Sequence, residues 1–373
     1  MHSNITSRRE LLRASAAALA LGRAGTGAMA APAVPKQIKA FCVDFNWHKG
    51  VFAAPGHWGE ADPEQHVRWY ESLGANTIQT FCLSCNGYAW YKGGVVPPQP
   101  GLKHDFLTEM VRLGHQRGML VMGYFCVGAN TKWGKDRPDL SYGAPGSTYH
   151  IPFTDAYLDY LSRAMEDAIR RTGLDGYMID WVWNPSEKAR GGAWIDAEKK
   201  LFTQLTGKPF PSAGAPSSED KLDYERRAIE RCWQRIRQTR DRANPRCIIW
   251  LSCARLKDPT VIGSRLLREC DWVMNEAPSR DLLESARKSV GAKTRLIQNV
   301  VGWADHDAKA FLGDPGNRSL DFYGFAEPSD TSLPLPVEQY LSKPVESFTG
   351  KDRMAVNDRN IAAVARFYRG LGM

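Results

Sequence analysis

The sequence predicts a single-domain (β/α)8 barrel, and three observations lead there. Eight strand-like segments alternate with about eight helix-like ones over some 330 residues. No G-x-G-x-x-G follows the first strand and no G-x-x-x-x-G-K-[ST] occurs, so a doubly wound nucleotide-binding sheet lacks its phosphate loop. Carboxylates, amides and indoles also collect just past the strands, on the face where such barrels carry their chemistry.

Each element has a local reason. Ile38–Phe45 is apolar and β-branched, and a helix-period stretch follows at Pro63–Leu73. Thr77–Ser84 reads as strand, Asp105–Arg117 as helix and Leu120–Val127 as strand. Thr154 is a capping residue for a helix through Arg171, and Tyr177–Trp183 is the fourth strand. Glu219–Arg242 forms a long amphipathic helix. The strands Cys247–Cys253, Trp272–Asn275, Arg295–Val301 and Phe322–Ala326 come next, with helices near Ile262–Glu269 and Asp281–Val290. Asn357–Arg369 closes the chain as a helix. Gly74, Gly118, Gly173, Pro245 and Gly291 punctuate the boundaries. Residues 184–218 are the main irregular insertion, placed after the fourth strand where barrels grow active-site loops.

The chain has 373 residues and a formal net charge of +8. Residues 1–30 read as a leader: Arg8-Arg9 form a twin-arginine pattern, Ala16–Leu21 is a short apolar run, and Ala28-Met29-Ala30 is a small-residue cleavage site. This predicts recognition by the twin-arginine export machinery and a mature protein, 31–373, that is periplasmic or secreted. Without the leader the charge falls to about +5, too little for a polyanion partner, and the Lys and Arg are not clustered with aromatics as in nucleic-acid binders. No other stretch approaches the roughly 18 apolar residues of a membrane span.

Eight cysteines in an exported chain raise the question of disulfides. Cys42, Cys82, Cys126, Cys247 and Cys253 lie in or at the end of apolar runs, where cysteine behaves as a small hydrophobe. Cys82-Leu83-Ser84-Cys85 is a lone C-x-x-C with no second pair or nearby His, which argues against zinc. One disulfide is left open, with Cys85 as a candidate partner.

The strand ends carry the candidate site. The first ends in Asp44 with Trp47 and His48 beyond, and the second leads to Asn86, Tyr88 and Trp90. Asp180, Trp181 and Trp183 end the fourth, and Asn275-Glu276 the sixth. The seventh ends Gln298-Asn299 with Trp303 beyond, and the eighth ends in Glu327. With basic residues sparse there, the composition suits neutral carbohydrate.

Glycoside hydrolysis needs two carboxyl groups in different protonation states, and no cofactor. Asp180 ends an apolar strand and shares the parity of Met178, so it points into the mouth as nucleophile. Glu276 follows Trp272-Val273-Met274-Asn275, apolar neighbours that raise a carboxyl pKa, which suits an acid/base. Glu327 and Asp44 are rivals for that role or bind sugar hydroxyls. Trp47, Trp90, Trp181, Trp183 and Trp303 are stacking candidates, while His48, Asn86, Tyr88, Asn275 and Gln298 are hydroxyl-binding ones.

At these residues a family resemblance enters. Gln65–Tyr91 looks like the second helix–strand–loop unit of the α-L-fucosidase family, and Asp105–Tyr124 is similar to its next unit. Tyr157–Trp181, ending D-G-Y-M-I-D-W, resembles the unit whose terminal aspartate is the family's nucleophile, which falls on Asp180. The long helix 219–242, preceded by Gly207-Lys208-Pro209, also resembles bacterial barrel glycosidases. The family's paired histidines are Ser84 and Cys85 here, and its C-terminal β-sandwich is not matched, so the sugar stays open. The resemblance implies a retaining glycoside hydrolase. A non-catalytic carbohydrate-binding barrel and an inverting glycosidase are the alternatives.

Overall fold

The structure, a computed structural model, describes residues 31–48, 51–253, 256–276, 281–301, 320–328, 331–350 and 353–371. The expected leader and Trp303 lie outside the described residues. Eight parallel strands close into one barrel: β1 (Lys39–Val43), β2 (Thr77–Gln79), β3 (Leu120–Cys126), β4 (Gly176–Asp180), β5 (Ile248–Cys253), β6 (Trp272–Asn275), β7 (Arg295–Asn299) and β8 (Asp321–Ala326). Neighbours in sequence are neighbours in the sheet, and β8 returns to β1 through Lys39–Phe322 to Val43–Ala326.

Parity along the strands separates two cores. On β1, Phe41 turns outward onto Trp69 and Tyr70 of the helix Pro63–Leu73, with ring centroids 5.4 and 6.4 Å apart. On β8, Phe322 likewise meets Phe367 of the terminal helix Arg353–Gly370 at 4.7 Å. The alternate positions fill the barrel: Trp250 of β5 meets Tyr323 of β8 edge-on at 5.5 Å across the interior. An in-phase residue at a strand end must therefore face the mouth.

The helices begin and end on the chemistry the sequence shows. Asp62 accepts the N–H groups of Glu64 and Gln65, Pro63 occupies the first turn, and Gly74 ends that helix with φ +85°. Thr154 caps the helix Asp155–Thr172, and Gly173 closes it with φ +69°. Four strands stop two or more residues sooner than expected: β1 at Val43 rather than Phe45, β2 at Gln79 rather than Ser84, β4 at Asp180 rather than Trp183, and β7 at Asn299 rather than Val301. At β4 the cause is visible, because Trp181 adopts φ +54° and leaves the sheet. Among the described residues no helix is long and apolar enough to cross a membrane, and the eight cysteines are all buried and form no disulfide, Cys85 included.

The insertion 184–218 contains two helices, Glu187–Arg190 and Asp196–Thr206. A buried ion pair anchors it: Arg190 donates to both oxygens of Glu198, Nη2 to Oε1 at 2.8 Å and Nε to Oε2 at 3.0 Å. The hydroxyls of Tyr142 and Tyr224 donate to the same carboxylate at 2.5 and 3.0 Å, and the guanidinium lies 3.9 Å from the Trp194 ring centroid. Both charged side chains are fully buried. Removing one partner of such a pair strands the other. Arg190→Ala is therefore expected to lower stability by about 3–5 kcal/mol, read as a fall in the denaturant midpoint. A midpoint equal to that of the unaltered chain would contradict this.

Candidate active site

The carboxyl ends of the strands surround a cavity of about 150 Å³. That is smaller than the ~300–1,000 Å³ of typical small-molecule sites. Four carboxylates line it: Asp44 beyond β1, Asp180 at the end of β4, Glu276 beyond β6 and Glu327 beyond β8. All four were read from the sequence, and all four are in the inward phase of their strands.

Asp180 is held from two sides. Tyr124 of β3 donates its hydroxyl to Oδ2 at 2.9 Å, and the N–H of Trp181 donates to Oδ1 at 2.8 Å. Burial pushes the carboxyl up to about 7, and the neighbouring Glu276 charge adds to the rise, while the two hydrogen bonds oppose it. Glu276 stands two strands away, beyond β5. Two spacings of ~4.8 Å put the backbones about 10 Å apart along the sheet, and inward-pointing side chains close part of that gap. Burial raises the Glu276 carboxyl as well, against the opposing effect of the Ser252 hydroxyl at 3.4 Å from Oε2. Asn299 of β7 fixes the Glu276 backbone by donating to its carbonyl at 2.8 Å.

The other two acids sit on braced backbone. Asp44 Oδ1 accepts the N–H of Asn46 at 2.8 Å, and Asn46 Oδ1 accepts that of Cys85 at 2.9 Å, which ties the first loop to the second. Asn357 of the terminal helix accepts the Glu327 N–H at 3.2 Å and donates to the Glu327 carbonyl.

One rim is aromatic. Trp47 stacks on Phe52 at 4.4 Å across a short antiparallel ribbon, 47–48 with 51–52. Phe52 meets Trp181 edge-on at 5.6 Å, and His150 lies nearly parallel to Trp181 at 5.6 Å and 14°. Trp47, Phe52 and Trp181 line the cavity, whereas Trp183 stacks behind Trp181 at 5.8 Å. The Trp181 turn requires its neighbour to be glycine: a Cβ on Gly128 would lie 2.4 Å from the Trp181 carbonyl oxygen.

Several expected contacts are corrected. Trp90 is buried among Phe45 and Phe106 with its N–H on Ser84 Oγ at 2.7 Å, so it is core rather than a stacking face. Asn86 is buried too, exchanging hydrogen bonds with Gln99 and supporting the loop instead of the ligand. Asn275 and Gln298 occupy the out-of-phase positions of β6 and β7, where Asn275 Nδ2 donates to Gln298 Oε1 at 3.0 Å. His48 packs its ring 4.5 Å from that of His57, and neither His48 nor Tyr88 lines the cavity. Tyr124, Ser252, Gln79 and Tyr323 line it although the sequence reading had missed them. Each is a polar residue in the inward phase of its strand, which is the signal that would have found them. Among the described residues no group of three His, Cys, Asp or Glu side chains is placed to hold a metal ion.

Comparison with known proteins adds to this geometry. Residues 62–181 match the model of a family described as hypothetical glycosyl hydrolase 6. The match starts at the Asp62 cap and ends one residue after Asp180. An α-L-fucosidase (isoenzyme 2) from Paenibacillus thiaminolyticus shares the fold at TM-score 0.61 and 14% identity, over 88% of this chain and 49% of its own. The chain thus spans about half the length of that fucosidase. The glycoside hydrolase domain of a Bordetella bronchiseptica protein aligns at TM-score 0.48 and 13% identity, over 79% of this chain and 95% of that one. An α-L-fucosidase from Bacteroides thetaiotaomicron aligns at 0.43 and 12%, over 88% and 70%. No curated protein matches the sequence significantly. The resemblance to (β/α)8 glycoside hydrolases is thus present in the fold and in a family match over about a third of the chain.

The raised carboxyl has a consequence for stability. Asp and Glu carboxyls in the unfolded chain ionise at ~3.9 and ~4.3, whereas the Asp180–Glu276 pair in the folded chain keeps one shared proton up to about 7. Between those values the folded state binds more protons, so stability falls as pH rises through the window and stays lower above it. Asp180→Asn removes this cost. The variant is expected to melt above the unaltered protein at about pH 8, with the gap closing by about pH 4. Thermal melts at both values check this, and a gap independent of pH would contradict it.

Proposed function

We propose that this protein is a glycoside hydrolase acting with retention at the barrel mouth. The observation that carries the reading is the pair of inward carboxyls from β4 and β6 in one small cavity, each raised by burial. The family match over 62–181 supports the same class of reaction. Aromatic faces beside several hydroxyl-binding groups suit a sugar ring. Export by the twin-arginine route, with a periplasmic or secreted mature chain, completes the proposal and rests on residues 1–30 alone.

In the first step an oxygen of the Asp180 carboxylate bonds to the anomeric carbon. The glycosidic C–O bond breaks as Glu276 gives its proton to the leaving oxygen. In the second, Glu276 takes a proton from water, whose oxygen attacks the same carbon and releases Asp180 as carboxylate. Two inversions leave the configuration unchanged. Trp181 and Trp47 offer stacking faces, and Asp44 and Glu327 accept hydrogen bonds from hydroxyls.

A panel of nitrophenyl glycosides tests the activity, and proton NMR of the first-formed anomer tests retention. On the best substrate Asp180→Ala is expected to lower kcat at least about a thousandfold. Azide should restore part of it by forming a glycosyl azide. Near-normal turnover of Asp180→Ala would sink the assignment. An inverted product would move the mechanism to the single-displacement form, in which the carboxyls stand about 6.5–9.5 Å apart. Glycan binding without hydrolysis by the unaltered chain would make it a binding barrel.

A further inference from the structure

The two central carboxyls are alike in burial but unlike in their hydrogen bonds. Asp180 receives donors at 2.8 and 2.9 Å, one on each oxygen, whereas the Ser252 hydroxyl stands 3.4 Å from Glu276. A carboxylate with more and shorter donors is the better anion. The Tyr124 side chain is well fixed for its part. It is buried, its ring lies 4.9 Å from that of Phe81, and its strand pairs with β4 through Tyr124–Met178. A phenol has one proton to donate. Burial and the surrounding acids keep that proton on Tyr124.

We propose that Tyr124 is the positioning residue that decides which carboxyl works as nucleophile. Its O–H, with the Trp181 N–H, holds Asp180 as the anion and leaves the proton of the pair on Glu276. The inference rests on the glycosidase reading and deepens it, because it assigns the two roles from geometry. The Trp181 N–H that helps hold Asp180 belongs to the residue whose left-handed backbone, φ +54°, carries the chain out of the sheet. After the glycosyl ester forms, Tyr124 remains beside the oxygen that must regain negative charge when water attacks.

The groups that face Asp180 set the terms of a test. They are Glu276 beyond β6, Asp44 beyond β1, Glu327 beyond β8, Cys85 in the loop after β2, Cys126 on β3 and Tyr323 on β8. Tyr124→Phe leaves all of them in place and removes only the donor. Losing a donor to the anion raises the pH at which the pair first ionises. The acid limb of the kcat/KM profile should therefore move up by about one pH unit. kcat should fall about tenfold with KM nearly unchanged.

A carbon-13 titration of labelled Asp and Glu carboxyls in the full chain reads the same ionisation without a substrate, with Asp180→Asn identifying the signal. Tyr177→Phe is the control, because the Tyr177 hydroxyl is buried without a partner. Tyr124→Met supplies a second variant without the donor should Phe fold poorly. An upward shift in the Tyr124 variants and none in Tyr177→Phe supports the assignment. An unchanged titration overturns it, even if stability falls. A chain that hydrolyses no glycoside defeats the glycosidase reading alone, since the titration still reports on Tyr124.

Discussion

The constraint on which the rest depends is the closure of eight parallel strands into a ring. Closure fixes parity, so alternate residues face the interior from end to end, and at the carboxyl ends the next inward position has no sheet left to pack against. Asp44, Asp180, Glu276 and Glu327 all stand on such positions. Their convergence follows from strand register. The floor beneath them belongs to the same layering, with Met178, Met274, Gln79 and Phe325 one step down and Trp250 filling the barrel below.

Gathering acids in one cavity is unfavourable, and the molecule distributes that cost. Asp180 and Glu276 are each raised by burial, so the pair shares a proton where two exposed carboxyls would both be charged. Local hydrogen bonds then break the symmetry. Tyr124 comes from the neighbouring strand and the Trp181 N–H from a left-handed turn that a bulky residue seldom adopts. That turn exists only because Gly128 lets the backbones approach. A destabilised carboxyl and a strained tryptophan at one strand end are separate expenses in the same place, which is characteristic of a functional site.

Much of this was legible in the sequence because it depends on period and parity. The alternation of strands and helices, the cap at Thr154 and the inward phase of Asp180 are local properties of consecutive residues. What failed to be legible depended on where loops go. Trp90 and Trp181 both follow strands, yet one dives into a cage of Phe45 and Phe106 and the other lines the cavity. Asn86 finds Gln99, thirteen residues away, and bonds it instead of a ligand. Asn275 failed for a different reason: parity already placed it out of phase with Met274 and Glu276, and reading strand ends as blocks hid that. Tyr124 lies two residues before the end of the third strand, so a reading confined to residues at or past the strand ends passes over it.

The tryptophans show why composition alone underdetermines function. An indole has a large apolar face and one N–H, so a rich supply serves a core, an ion-pair anchor or a sugar platform equally well. All three uses occur here. Trp90 and Trp250 fill cores, Trp194 covers the Arg190 guanidinium in the insertion, and Trp47 and Trp181 line the mouth. What separates the last group is backbone geometry. Trp47 sits on a two-residue ribbon and Trp181 on a left-handed turn, conformations that lift a ring out of the packed layers. The backbone at these two positions, more than the number of aromatic residues, makes one rim of the barrel a binding face.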